Sequence, residues 1–218
     1  MRLLKDWLAM RDDQTPAQFP DAGWPVPENL ERNPNTSLRG CHRLLILGRT
    51  GSGKTTLARA LAAALEVPHI ELDSLYFGPD LSTVPLQVLR ERTIVAIAGD
   101  KWVTDGNKHA VRDLVWPRAD TVVWLDYPLA VSLGRLARRA LWRTSGLKKQ
   151  AKTTGSLSSL SSQLVSAAKG VLTALWSHRG QRRRYPKMFL EPVNQHLAVV
   201  RLRSPRATSR WWACVTQA

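Results

Sequence analysis

The chain has 218 residues, of which 44% are hydrophobic, and this is typical of one compact domain with a sizeable core. No apolar run approaches the roughly 18 residues that a membrane-spanning helix needs, and the early charges of the first residues predict no signal peptide. Two cysteines, Cys41 and Cys214, are too few for a disulfide framework or a zinc site. They favour a cytoplasmic protein with reduced thiols.

The net charge of +15 is unevenly distributed along the chain. Residues 1–130 contain 15 Lys and Arg against 16 Asp and Glu, whereas residues 131–218 contain 17 against one. Such an excess favours an anionic partner, which includes a nucleotide, a phosphorylated substrate, nucleic acid and an acidic membrane surface. The charge alone does not choose among them.

Residues 1–40 are predicted to form a poorly ordered leader, because they are rich in proline and show no helical or alternating period. Residues 41–218 are predicted to form one domain. Its strands, in chain order, are RLLILG, HIELD, KWVTDG, TVVWLDYP and HLAVVRLRSP, and helices are predicted at KTTLARALAAALE, at VPLQVLRERTIVAIAGD up to Gly99, and at AVSLGRLARRALWR. Short apolar strands that alternate with helices predict an α/β fold with a mostly parallel sheet covered on both faces.

The segment between the first strand and the first helix fits the pattern G-x-x-x-x-G-K-[ST], which forms a phosphate-binding loop in this structural context. The glycines allow the backbone N–H groups to surround an anion, and the helix N-terminus adds partial positive charge. Lys54 is expected to reach the β- and γ-phosphates of ATP, and the Thr55 hydroxyl to ligate Mg²⁺. The predicted nucleotide-binding residues here are Gly48, Arg49, Thr50, Gly51, Ser52, Gly53, Lys54, Thr55 and Thr56.

Three aspartates stand at the ends of predicted strands, where the ligand crevice of an open parallel sheet lies. Asp105, followed by a glycine, is the candidate for the magnesium side. Asp73 is the candidate for the acceptor side, where a carboxylate accepts the proton of an attacking hydroxyl or holds the acceptor by a hydrogen bond. A helix cap or a turn is the alternative for each, and for Asp126 we favour the cap.

Several basic and aromatic residues elsewhere in the chain have two interpretations each. Arg135, Arg138 and Arg139 follow helical spacing and share one face, so they are candidate lid residues that neutralise the transferring phosphoryl group; a solvated basic face is the alternative. Residues 182–185, RRRY, are more typical of a solvated or nucleic-acid-facing run. For Trp102, Trp116 and Trp124, which lie in or beside predicted strands, we favour a place in the core over a role as base-stacking platforms.

A family resemblance is carried by the stretches LGRTGSGKTTLARALA, VPHIELDSLYFGP, KWVTDGN, VRDLVWPRADTVVWLDYP, RLARRALWR and VVRLRSPRATSRWW. Together they resemble the adenylate-kinase-related P-loop proteins, many of which are labelled DNA topology modulation proteins. This resemblance implies a sheet order of 2-3-1-4-5, a basic lid region at about residues 131–190, and a position beside the adenine for Ser204, Pro205 and Arg206. The chain departs from the group at Lys108, where a tyrosine is common.

These features together predict a P-loop kinase-like enzyme that transfers the γ-phosphate of ATP to a small nucleotide-like or hydroxyl-bearing metabolite. The predicted catalytic residues are Lys54, Asp73, Asp105, Arg135, Arg138 and Arg139, and Thr55 and Asp105 are expected to hold Mg²⁺. The alternative hypothesis is an ATP-binding regulator, or a nucleic-acid-binding protein that contacts phosphate backbones through the basic C-terminal part.

Overall fold

The centre of the molecule is a five-stranded parallel sheet whose strand order is β2-β3-β1-β4-β5. The computed structural model describes residues 40–78, 82–138, 180, 182 and 184–216. The strands are β1 (Arg43–Gly48), β2 (His69–Glu71), β3 (Trp102–Asp105), β4 (Thr121–Leu125) and β5 (Ala198–Leu202). The α/β fold and the strand order are therefore the predicted ones.

Helices lie on both faces of this sheet. They are α1 (Lys54–Leu65), α2 (Leu72–Leu75), α3 (Leu86–Ala96), α4 (Arg112–Val115), α5 (residues 129–138), α6 (described at residues 180, 182 and 184–189) and α7 (Pro205–Thr216). Short 3₁₀ turns occupy His109–Val111, Trp116–Arg118 and Pro192–Asn194. None of the helices in the described part of the chain is long and apolar enough to cross a membrane.

The core has one hydrophobic cluster on each face of the sheet. The four residues from Leu44 to Leu47 are fully buried, because β1 lies in the middle of the sheet and is covered on both sides. One face packs against α6 and contains Trp102, Trp116 and Trp124, which confirms their prediction as core residues. The other face packs against α1 and α7.

Two predicted element boundaries differ from the observed ones. The strand HIELD was expected to end at Asp73, but β2 ends at Glu71, whose partner Asp105 is the last residue of β3. Beyond that point β2 has no partner on β3, and Asp73 lies in the first turn of α2. Helix α3 ends at Ala96 instead of Gly99, since the N–H of Ala98 bonds to Val95 in a tightened last turn.

Parts of the chain on which predictions were made lie outside the described residues. They are residues 1–39 of the predicted leader and residues 139–179 of the predicted lid region, including Arg139. The division into a leader of residues 1–40 and a domain of residues 41–218 therefore stays a prediction.

Candidate functional site

The phosphate-binding loop joins β1 to α1 at the C-terminal edge of the sheet. Gly51 and Gly53 both have positive φ, +81° and +91°, and such conformations turn successive N–H groups toward a common point. The N–H of Ser52 closes the turn on the carbonyl of Arg49 at 3.0 Å. Gly53 then caps α1, whose first turn contains no acidic residue. The loop is built to receive an anion at a helix N-terminus.

The Lys54 side chain lies across this loop. Its Nζ donates to the Arg49 carbonyl oxygen at 3.0 Å. Burial lowers the pKa of the Lys54 ammonium, and the negative charges of Asp105 and Asp73 oppose that shift. Among the described residues no carboxylate forms a direct ion pair with this cation. A phosphate in the loop would supply the missing counter-charge.

Next to the loop, Asp105 lies between a threonine and a histidine. The Thr55 hydroxyl donates to its Oδ2 at 2.6 Å, and Nε2 of His69 lies 2.8 Å from its Oδ1. Asp105 is only 4% exposed. It ends β3, which pairs with β1, so the topology places it directly beside the phosphate-binding loop.

Thr55 and Asp105 offer oxygen donors of the kind that Mg²⁺ accepts in combination with phosphate oxygens and water. In the described part of the chain, no group of three or more His, Cys, Asp and Glu side chains is placed to hold a metal ion by itself. The donor set therefore fits a magnesium ion that arrives with a nucleotide. The sequence-based prediction of this site did not include His69; the available signal was its place at the start of β2, the strand next to Asp105.

Asp73 occupies the same edge of the sheet, one strand further from the loop. Its side chain is 65% exposed, and its Oδ1 lies 3.3 Å from Nζ of Lys108. The Lys108 ammonium also lies 4.3 Å from the centre of the Tyr76 ring. Asp73 and the loop line one cleft, and Asp105 ends β3, the strand that lies between β1 and β2.

Helix α5 covers the loop. Nη1 of Arg135 donates to the Ser52 carbonyl oxygen at 2.5 Å, and its guanidinium lies 5.3 Å from the centre of the Tyr127 ring. Arg138 lines the same cleft. The structure therefore places Arg135 and Arg138 at the phosphate side, whereas the third predicted lid residue, Arg139, is not described.

The cleft that these elements enclose has a volume of about 1010 Å³, which is large enough for a nucleotide and a small second substrate. Its lining includes residues 49–55 of the loop together with Thr56, Asp73, Tyr127, Arg135, Arg138, Thr208, Ser209 and Trp212.

The wall that α7 contributes differs in detail from the prediction for Ser204, Pro205 and Arg206. Ser204 caps α7, because its Oγ accepts a hydrogen bond from the N–H of Ala207 at 3.1 Å. Residues one and two turns further along α7 line the cleft, namely Thr208, Ser209 and Trp212. Contact of Ser204, Pro205 and Arg206 with an adenine stays a prediction.

Asp126, which we interpreted as a helix cap, has a different role. It is 1% exposed, and its carboxylate accepts from Nε of Arg182 at 2.7 Å and from Nη2 of Arg201 at 2.7 Å. The cap interpretation is wrong because arginines from distant parts of the chain occupy both carboxylate oxygens.

The interpretation of residues 182–185 as a solvated or nucleic-acid-facing run is also wrong for two of its members. Arg182 pairs with Asp126, and Tyr185 is 1% exposed and packs on Trp124. Among these residues the structure describes Arg184 as exposed. The positive charge of Arg182 is used within the domain, because a buried carboxylate lies within reach.

Solved structures that are similar to this chain include two kinases. No family model matches the chain, and no curated protein matches it. A gluconokinase from Sinorhizobium meliloti 1021 is 18% identical, with 81% of this chain and 92% of that chain covered and a TM-score of 0.40. A sugar kinase from Janibacter sp. HTCC2649 is 22% identical, with 81% and 97% covered and a TM-score of 0.40. A likeness at this level says nothing about substrate.

Proposed function

We propose that this protein is an ATP-dependent phosphotransferase that acts on a small hydroxyl- or phosphate-bearing acceptor. The observation that carries the proposal is one cleft that is lined by a phosphate-binding loop with Lys54 and Thr55 and by an exposed Asp73 one strand away, with Asp105 hydrogen-bonded to Thr55 beside the loop. A nucleotide-binding protein without an acceptor needs the loop and the Thr55–Asp105 pair. The exposed Asp73 gives the cleft a second side.

Each residue has a role that follows from its position. The loop amides and Lys54 hold the β- and γ-phosphates, and Thr55 with Asp105 hold Mg²⁺, which neutralises phosphate charge when it is bound. Arg135 and Arg138 stabilise the charge on the phosphoryl group during transfer. We assign Arg139 the same role from its helical spacing.

Asp73 receives or orients the acceptor. In the reaction, an acceptor oxygen forms a bond to the γ-phosphorus while the bond from that phosphorus to the β–γ bridging oxygen breaks, and ADP leaves. Asp73 accepts the proton that the acceptor hydroxyl loses. Lys108, 3.3 Å from Asp73, has to yield this contact when an acceptor binds the carboxylate.

The test is a screen of the purified full chain with Mg·ATP against nucleoside monophosphates and small hydroxylated metabolites, with release of ADP as the readout. At least one acceptor is expected to stimulate ADP formation. Lys54→Ala is the control, and its rate of ADP formation should be lower by about 10²- to 10³-fold because the phosphate charge is no longer neutralised. ATP binding without stimulation by any acceptor would reject the phosphotransferase and favour an ATP-binding regulator.

A further inference from the structure

A buried cluster of charges lies behind the phosphate-binding loop, outside the roles given above. One carboxylate, Asp126, faces three guanidinium groups. Nε of Arg182 lies 2.7 Å from its Oδ1, Nη2 and Nε of Arg201 lie 2.7 and 3.1 Å from its Oδ2, and Nη2 of Arg49 lies 3.9 Å from Oδ1. Arg49 and Arg201 are almost completely buried, and Arg182 is about one-third exposed.

The register of the sheet brings these groups together. Gly48 of β1 pairs with Leu125 of β4, and Leu125 pairs with Leu202 of β5. Arg49 follows the last residue of β1, and Asp126 follows the last residue of β4. The pairing of these strands therefore brings the second residue of the loop to within 3.9 Å of the carboxylate. Arg49 is also fixed at its other contact, where Nη2 donates to the carbonyl oxygen of Tyr127.

The second element in the cluster is α6, which packs on the same face of the sheet. The Tyr185 ring lies 5.7 Å from the Trp124 ring in an edge-to-face arrangement, and Phe189 lies 6.0 Å from Trp124. The aromatic contacts hold Tyr185 and Phe189 of α6 against β4, while Arg182 of the same helix pairs with Asp126. Asp126 therefore joins α6 to the loop.

The charge balance makes this carboxylate hard to replace. Burial lowers the pKa of the Arg49 guanidinium, and the nearby positive charge of Arg182 adds to that shift, whereas Asp126 opposes it. The negative charge of Asp126 is thus shared among three positive charges. Without it, the buried guanidiniums would repel one another and Arg49 would lose the group that holds it behind the loop.

We propose that Asp126 is a positioning residue for the phosphate-binding loop, which it holds through Arg49 and connects to α6 through Arg182. This inference rests on the proposed function, because its consequence is felt in ATP binding. When α6 is docked, Asp126 is shared among fixed partners and the loop keeps its shape. When the Arg182 contact is lost, Asp126 and Arg49 gain freedom and the loop binds phosphate less well.

The experiment measures Mg·ATP affinity by calorimetry and thermal stability for matched variants of the full chain. Asp126→Asn is expected to weaken ATP binding by tenfold or more, and Arg182→Gln by several-fold. Arg182→Lys should recover part of the loss because it keeps the charge. Arg184→Gln, on the same helix but exposed, should bind ATP like the parent. The double variant Asp126→Asn/Arg182→Gln should bind ATP no more weakly than Asp126→Asn, since both changes remove the same Arg182–Asp126 contact.

The possible results separate the inference from the proposed function. If Asp126→Asn does not fold, Arg182→Gln, which changes a partly exposed side chain, carries the test. If the parent binds ATP and both variants bind it equally well while melting earlier, Asp126 is structural only and the inference is overturned, but the phosphotransferase stands. If the parent does not bind ATP, both are overturned.

Discussion

The two candidate carboxylates, Asp105 and Asp73, differ in how firmly the protein holds them. Asp105 is buried and bonded on both oxygens, to Thr55 and to His69. Asp73 is mostly exposed, and its carboxylate pairs with Lys108. The phosphate side is thus preorganised before any ligand arrives, which lowers the cost of binding a highly charged group. In the proposed function, the acceptor side is open, and we expect it to take its final arrangement when the acceptor binds.

The largest expected effect concerns the open side. Asp73→Asn should lower acceptor-stimulated turnover by about 10²–10⁴, because the proton acceptor is lost. Mg·ATP affinity should stay within a few-fold of the parent, since Asp73 is one strand away from the loop. Turnover with the best acceptor and ATP affinity by calorimetry are the two measurements.

Glu71→Gln is a matched control for Asp73→Asn. Glu71 lines the same cleft two residues earlier but pairs with Arg59 at 3.1 Å, so the control should keep its turnover. If Asp73→Asn lost ATP binding and kept its response to the acceptor, the two sides of the cleft would have to be exchanged.

A smaller effect is expected on the preorganised side. Asp105→Asn keeps the shape of the side chain but removes the charge, and it should raise the magnesium concentration needed for half-maximal turnover by about 10- to 100-fold. This increase in the magnesium requirement should be the same for every acceptor. A titration with MgCl₂ at fixed ATP checks this, and a magnesium requirement equal to that of the parent would remove Asp105 from the metal side.

The smallest expected effect is a pH dependence of ATP binding. The pKa of Lys54 is lowered from 10.5 by burial, whereas bound phosphate favours its charged form. Between the lowered value and 10.5, the unfolded chain binds more protons than the folded one, so the stability of the free protein rises with pH. In the same window ATP binding takes up a proton, and affinity should fall with rising pH by at most about tenfold per unit.

Lys54→Arg provides the comparison for this pH dependence, because a guanidinium stays charged throughout the window. ATP affinity of this variant, measured over the same alkaline series, should show no such fall. An equal slope in Lys54→Arg and in the parent would assign the proton to another group.

Features built from residues that are close together in the sequence could be predicted from it. The phosphate-binding loop lies within eight consecutive residues, and its strand and helix are visible beside it in the sequence, so its position between β1 and α1 could be predicted. Asp105 and Asp73 could be placed because parallel strands end at one edge. The strand order came from a resemblance, and the observed sheet confirms it.

Other features depend on contacts between distant residues. The Asp126 cluster joins Arg49, Arg182 and Arg201, and the pairing of Arg182 with residue 126 spans 56 positions. A basic run such as residues 182–185 has no internal sign of which member points inward. Trp212 was missed for a similar reason, because the wall of the cleft depends on how α7 packs and not on where it begins.

Position 51 shows how tightly the loop and α5 are matched. A Cβ atom on Gly51 would lie 2.9 Å from both the Leu136 side chain and the Ser132 carbonyl oxygen, and the residue already has a φ of +81°. A smaller residue at 136 would relieve the first contact only, because the second is with backbone and the dihedral angle is unchanged. If positions 51 and 136 were randomised together and folded variants selected, position 51 should therefore remain glycine whatever residue stands at 136.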